Sequence, residues 1–512
     1  MDRGRSTAEA PAIADTPRAT PRSLWRSWIV YSLSSLASRL VGFVMLPIYT
    51  RVLSPEEYGI RAMVTVGMDL VGMVCWLGIT TAMVRHYTAH GAGEDRADAV
   101  STAYATGAIT LAAGAAIGML TAPWLSIALL GDAAYARFIR LGLITLFFTN
   151  TMEIGLAYLR LRQRVATVSL VSLSTLAVTL ATNIALVVVL RWGVVGIFYS
   201  EILTYGLFSI FIARRTLREV GLSFSWPLAR RMIAYGAPLT LMPASWLLVN
   251  RTAGVFLTHH DSIAAAGIYA LAMQCAQVLL LAVIWPFREA WDPGQFELAR
   301  DPHAARTYRR MFQTFTFTIV IAGLVFAIAA EDVIRLMAAP KFHSAAGVVP
   351  ILVASHVVMG MTLFFKSGLL IKNRTALLGA IGVVTAAASV AASALLVPRY
   401  LAFGAAYSRL AALVVMATLT HVMAQRVWPQ RPDFAALAKV VALAVAGFAV
   451  SRLVPVSPLI ASLAFKGGIV LAVVALSVLC GAIDRRELRR VLTMMRGRLA
   501  RKRPSALPDT AI

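Results

Sequence analysis

The sequence predicts an all-α polytopic membrane protein of about fourteen transmembrane helices. Three observations carry that expectation. Charged residues fill 14% of the 512 positions and hydrophobic ones 59%, whereas soluble domains carry roughly 25% charged residues. The apolar residues gather in windows of about 20, the length at which an α-helix crosses the hydrocarbon of a bilayer. Arginines collect at alternate breaks between those windows, as they do where cationic loops are retained in the cytoplasm.

Taken in order, the first stretch (1–27) is rich in Ala, Pro, Arg and Thr and holds little to bury, so it reads as a disordered cytoplasmic tail. The apolar run that follows is too long for a signal-peptide core and lacks a convincing cleavage site, so it stays as the first span. Six spans are expected near 28–50, 58–84, 99–122, 138–158, 167–190 and 194–213. They form an N-terminal six-helix lobe, 28–213, followed by a basic cytoplasmic loop at 214–232. Six more are expected near 233–257, 264–286, 311–330, 346–370, 376–397 and 402–424, forming a second lobe at 233–424. An additional pair lies at 435–482, near 436–453 and 460–482, and a basic cytoplasmic tail at 483–512 closes the chain.

Net charge is +24, from 48 Lys+Arg against 24 Asp+Glu. A basic balance of this size suits nucleic acid in a soluble chain, but here position decides. With the N-terminus inside, the inner segments include RLRQR at 160–164, the arginines of 214–231, Arg288 to Arg310, and the tail DRRELRRVLTMMRGRLARKR. They hold roughly 33 of the Lys and Arg residues against about 8 in the outer loops. Both termini are then cytoplasmic, and no nucleic-acid partner is needed. Cys75, Cys275 and Cys480 sit in or at the end of apolar runs, with no metal-ligand or disulfide spacing.

The stretch LPIYTRVLSPEEYGI, Leu46 to Ile60, interrupts the first two windows. Pro47 removes a backbone hydrogen bond near the end of a span and is a candidate hinge. Ser54 reads as an N-cap, Pro55 as the first helical residue and Glu57 as the reciprocal cap at the third. Tyr58 suits the interfacial belt. Leu53-Ser54 followed by Gly59-Ile60-Arg61-Ala62 is echoed by Leu257-Thr258 followed by Gly267-Ile268-Tyr269-Ala270. Such internal repeats are common in secondary transporters.

The same hairpin resembles the first hairpin of the oligosaccharide flippase, or polysaccharide-transport, family of the MOP exporter superfamily. Ser38-Arg39-Leu40-Val41-Gly42-Phe43 is similar to a Ser-Arg-x-x-Gly-Phe segment of the related lipid II flippases. Tyr235-Gly236-Ala237-Pro238-Leu239 resembles the opening of the family's seventh span. Ala266-Gly267-Ile268-Tyr269-Ala270 resembles the opening of its eighth, and Trp285-Pro286-Phe287 with Trp291-Asp292-Pro293 its close. The resemblance implies two six-helix lobes related by a pseudo-two-fold, as in MATE transporters, plus a terminal pair. It also implies alternating access for an oligosaccharide on an undecaprenyl pyrophosphate carrier in the bacterial inner membrane. Membrane lipids and other polysaccharide-assembly proteins are the expected partners. One departure is Asn250-Arg251, where many members carry an Asp-Arg pair; the cation survives and the carboxylate does not.

Ionisable residues inside spans are costly and mark a cavity or a partner. Arg39 and Arg251 occupy corresponding places in the two lobes and are the leading cavity cations. Arg61, Lys366 and Arg409 are further candidates, with structural pairing the stronger reading for these three. Asp69, Glu153 and Glu201 are the acids available for ion coupling. Lys439 and Lys466 read as snorkelling residues. An excess of guanidinium over carboxylate suits phosphate, which the guanidinium fork binds bidentately. A MATE-type drug or cation antiporter would share the fold but needs carboxylates free to hold a cation. A membrane-embedded polysaccharide polymerase or ligase would need a large polar outer loop, and the outer loops run to about fifteen residues. His259-His260-Asp261 reads as a turn, and there is no P-loop of the GxxxxGK[ST] type. The expectation is a transporter, not an enzyme, without metal or cofactor.

Overall fold

The computed structural model describes residues 45–89, 94–300, 303–429, 432–454 and 459–482. Apart from turns they are helical, with no strand among the described residues. Among the described residues, eleven helices are long and apolar enough to span a membrane, or twelve if one bent pair counts as a span. The expected first span, 28–50, lies outside the described residues except for its end, the helical stretch 45–52 (α1). The expected total of fourteen therefore stands as a sequence count.

The chain divides into two compact units. The first comprises Met1–Leu271, Met337–Phe342 and Ala386–Ser408; the second comprises Ala272–Leu336, His343–Thr385 and Arg409–Ile512. The first unit extends past the expected N-terminal lobe. It holds α1, α2 (Pro55–Trp76), α3 (Ile79–Ala89), α4 (Glu94–Leu120), α5 (Ala122–Leu130), α6 (Ala136–Leu161), α7 (Val165–Asn183) and α8 (Gly193–Val220). It also holds α9 (Trp226–Leu239), α10 (Leu241–His260) and the first half of α11 (Ile263–Leu279).

α2 starts as its sequence dictates. Ser54 Oγ accepts from the Glu57 amide at 3.1 Å, and Glu57 Oε2 accepts from the Ser54 amide at 2.9 Å, with Pro55 at the first helical position. The other Glu57 oxygen accepts from the Val194 amide at 3.1 Å, so one carboxylate caps α2 and α8 together. Gly193, at φ +60, leaves room for that carboxylate, which a Cβ there would strike. Tyr58 is buried, with its ring centroid 5.7 Å from that of Phe342 in an edge-on contact.

Helices in lipid gain no hydrophobic drive from packing, so association rests on close contact through small residues. α2 shows this at both ends. A Cβ on Gly59 would fall on the carbonyl of Ile263 in α11, and one on Gly267 on the carbonyl of Pro55. The two glycines of the sequence echo thus press backbone on backbone. At the other end the α2–α3 break, with Leu77 at φ 46 and Gly78 at φ 64, meets Gly236 of α9. Between these contacts Ile60, Met63 and Val64 pack with Phe138, Ile139 and Leu143 of α6. Ile79 and Met83 of α3 pack with Tyr104, Tyr158 and Met232.

The expected seventh span, 233–257, is a broken one: α9 and α10 meet at a 50° bend, with Pro238 inside α9.

The second unit carries the rest of α11, α12 (Trp285–Leu298), α13 (Ala304–Met337), α14 (Ala345–Ile371), α16 (Phe434–Leu453) and α17 (Leu459–Leu479). A π-turn at Leu280–Ile284 precedes Pro286, whose missing amide removes one rung of the helix ladder. Trp291 is buried against Phe364 and donates to Ser367 Oγ at 3.1 Å, while Tyr308 donates to the Phe364 carbonyl at 2.6 Å. Lys466 is not a snorkelling residue. It bonds Asp332 at 2.6 Å, and Arg452 bonds Glu331 at 2.8 Å, so α16 and α17 are moored to neighbouring acids of α13.

The 53-residue α15 (Thr375–Val427) contributes to both units. At about 1.5 Å per residue it is far longer than a bilayer. It breaks at Leu401, φ 49 and ψ −123, between the two expected spans 376–397 and 402–424.

Candidate functional site

Two ion pairs in the first unit bring intramembrane charges together, and both are built on α2. Arg61 Nη2 donates to Glu201 Oε1 of α8 at 2.7 Å, with side chains 29% and 14% exposed. The hydroxyls of Tyr49 and Tyr205 lie within electrostatic reach of both partners. Two turns further along α2, Asp69 Oδ2 accepts from Arg251 Nη2 of α10 at 2.9 Å, with side chains 40% and 39% exposed. Eight residues separate Arg61 and Asp69, so the pairs stand about 12 Å apart along the helix.

The exposure of the second pair is informative. Asp69 lies near the middle of the Pro55–Ala89 span. A pair so open at that depth would be costly against hydrocarbon, and such residues face water or protein instead. A guanidinium has five N–H donors, and the contact to Asp69 uses one nitrogen. The arrangement can hold an anion on the remaining donors while Asp69 keeps Arg251 oriented. Asn250, where the resemblance expects a carboxylate, donates to the Trp246 carbonyl at 2.6 Å. Asp69, from another helix, supplies the missing acid.

The remaining candidates are dispersed. Arg39 lies outside the described residues. Pro47 sits within α1, where Thr50 Oγ1 donates to its carbonyl at 3.4 Å. Glu153 pairs with Arg160 on its own helix at 2.6 Å, both side chains about two-fifths exposed. In the second unit Lys366 lies 3.4 Å from Asp292, which Arg288 also contacts at 3.0 Å. Arg409 is buried and donates to Ser355 Oγ at 3.2 Å. The sequence reading did not single out Asp292 or Asp332 as partners of intramembrane lysines. Asp332 had a signal, a Glu-Asp dipeptide at the end of an apolar window. No cluster of His, Cys, Asp or Glu among the described residues could hold a metal ion.

Comparison with known proteins decides the family. The family described as polysaccharide biosynthesis protein matches residues 24–298, over half of the chain. The chain belongs to that family. A protein of the Lsg locus of Haemophilus influenzae is 22% identical over 327 residues, 62% of this chain and 78% of that protein. The fold is similar to that of the lipid II flippase MurJ in an inward closed conformation. There the TM-score is 0.62 at 12% identity, covering 88% of this chain and 99% of that one. It is also similar to an inward-facing multidrug resistance MATE transporter of the MOP superfamily, TM-score 0.60 at 16% identity, covering 78% and 96%. The family member described here is thus a multi-pass helical membrane protein with a transporter fold.

Proposed function

We propose that this protein is a flippase. It moves an oligosaccharide linked to an undecaprenyl-pyrophosphate-type lipid across the bacterial inner membrane by alternating access, for exopolysaccharide, capsule or lipopolysaccharide biosynthesis. The family match over 24–298 carries this reading. The Arg251–Asp69 pair supports it, because a partly exposed guanidinium with donors beyond its one contact to Asp69 suits a pyrophosphate. Arg39, its counterpart by sequence, is assigned to the same anion site. The arginine-rich loops support a topology with both termini cytoplasmic. Partners from the polysaccharide-assembly machinery would receive the flipped substrate.

The similarity to a MATE transporter keeps a cation antiporter as the second reading. Asp69 and Glu201 are each bonded to an arginine, which neutralises the carboxylates such an antiporter would use. Surface-glycan display in cells carrying the Arg39→Ala, Arg251→Ala double variant separates the two. The flippase reading expects loss of surface glycan and accumulation of the lipid-linked precursor at normal protein levels. Normal glycan export by the double variant, or drug efflux without glycan export by the wild type, would overturn it.

A further inference from the structure

At the C-terminal end of α8, Arg214, Arg215 and Arg218 are exposed and make no hydrogen bond or ion pair among the described residues. With Phe211 and Glu219 they line an open recess of ≈ 740 Å³. Glu219 is already committed. Arg164 binds it through two nitrogens at 2.8 and 2.9 Å, and Arg162 approaches to 3.3 Å. Two guanidiniums therefore already hold the Glu219 carboxylate, and three more line the same recess without an ion pair among the described residues.

The arginines continue an apolar stripe. Leu203, Leu207, Ile210 and Phe211 are each more than half exposed, and they precede Arg214 and Arg218 at spacings of three and four on one side of α8. From Leu203 to Arg214 the helix rises about 16 Å, roughly half the ~30 Å hydrocarbon thickness, which is one leaflet. α7 packs along α8 and widens the surface with Leu170, 66% exposed. At about 100° per residue, Leu203 and Ile210 lie roughly 160–180° from Glu201, the partner of Arg61, with Leu207 about 120° and Phe211 about 80° away, so the stripe is centred on the side turned from Glu201.

We propose that this surface holds a resident anionic phospholipid with two phosphates, of the cardiolipin class. Its phosphates lie on Arg214, Arg215 and Arg218, and its chains lie along Leu170, Leu203 and Leu207. The site rests on the cytoplasmic placement of this end proposed above. A singly charged headgroup leaves most of the excess charge unmatched, whereas two phosphates match it better. The stripe runs within one leaflet on the face of α8 turned from Glu201, which suits a lipid that stays rather than a carrier in transit. Basic recesses at the cytoplasmic ends of transmembrane helices bind such headgroups.

Native mass spectrometry of the purified full-length protein tests this with three probes: cardiolipin, phosphatidylglycerol at equal phosphate, and undecaprenyl diphosphate. The wild type is expected to retain cardiolipin in preference to phosphatidylglycerol. The Arg214→Ala, Arg215→Ala, Arg218→Ala variant is expected to bind it at least about tenfold more weakly, and Arg218→Ala alone about threefold. Lysines at all three positions should restore most of the binding, and Arg374→Ala at another basic turn should leave it unchanged. Unaltered cardiolipin retention in the triple alanine variant overturns the proposal. So does displacement of cardiolipin by undecaprenyl diphosphate from the wild type alone, which would make the recess a loading site for the carrier. The readout is lipid binding, so it fails or succeeds separately from the export assay, and a reporter fusion after Arg215 checks the sidedness on which it depends.

Discussion

Asp69, Glu153 and Glu201 all stand within apolar windows, yet their surroundings rank them differently. Glu201 is the least exposed and holds Arg61, itself largely covered. Replacing it by Gln removes a charged partner whose hydrogen bond is worth about 2 kcal/mol. Asp69→Asn acts on a pair with both members two-fifths exposed, and solvent screening lowers the expected loss to about 1 kcal/mol. Glu153→Gln breaks an exposed contact within one helix and should stay within about 0.5 kcal/mol. Thermal unfolding of the three variants in one detergent checks the order, and Glu153→Gln as the most damaging would refute it. Glycan export should be abolished by at most one of the three amides, Glu201→Gln being the one to lose it. The sequence showed which acids lie in spans but not which cation each would meet. Arg61 and Glu201 are 140 positions apart, and only the packing of α2 on α8 joins them.

Helix breaks were legible where a residue's own chemistry makes them. The Ser54–Glu57 capping box lies where its pattern placed it, because both partners are local. The bend between α9 and α10 was read through as one span, since apolar content continues across it and Pro238 alone does not fix an angle. The turn in α15 is a further case. Leu401, at φ 49 and ψ −123, occupies a region favourable only to glycine. Leu401→Gly is therefore expected to hold or raise the melting temperature, against the usual cost of about 1 kcal/mol for glycine in a helix. A fall of several degrees would show that the leucine side chain matters more than the backbone. Gly59→Ala and Gly267→Ala should behave in the opposite way. Each would drive a Cβ into a facing carbonyl, and overpacking of this kind costs at least about 1–3 kcal/mol. Gly379→Ala, with nothing within 4 Å of the added methyl, is the matched control and should be neutral or stabilising.

For the whole molecule, the fold class was set by composition and by the rhythm of apolar windows, which need only the thickness of a bilayer to be interpreted. The orientation rests on arginine placement alone, and it makes a direct prediction. A reporter fused after Arg215 should read as cytoplasmic and one at Asp261 as external; an external signal after Arg215 would invert the topology. Arg39 and Arg251 were selected by depth and by the echo between lobes. That reasoning selected Arg251 but missed Asp69 as its partner, because the resemblance placed the acid next to the arginine in sequence. Here the acid comes from a helix 182 positions earlier.

The carboxylate shared by the first turns of α2 and α8 also has a consequence for the order of assembly. Glu57 leaves the ribosome 137 positions before Val194. At about 5–20 residues per second, one of its oxygens waits roughly 7–27 s for the amide it will cap. α8 therefore enters a membrane in which its docking point has already been inserted. Its first turn is completed by an older neighbour rather than by its own preceding residue, since Trp192 makes no side-chain cap. A nascent chain halted after α8 and carrying Glu57→Ala should leave that turn open to labelling at an introduced Val195→Cys. The unaltered chain of the same length should protect it.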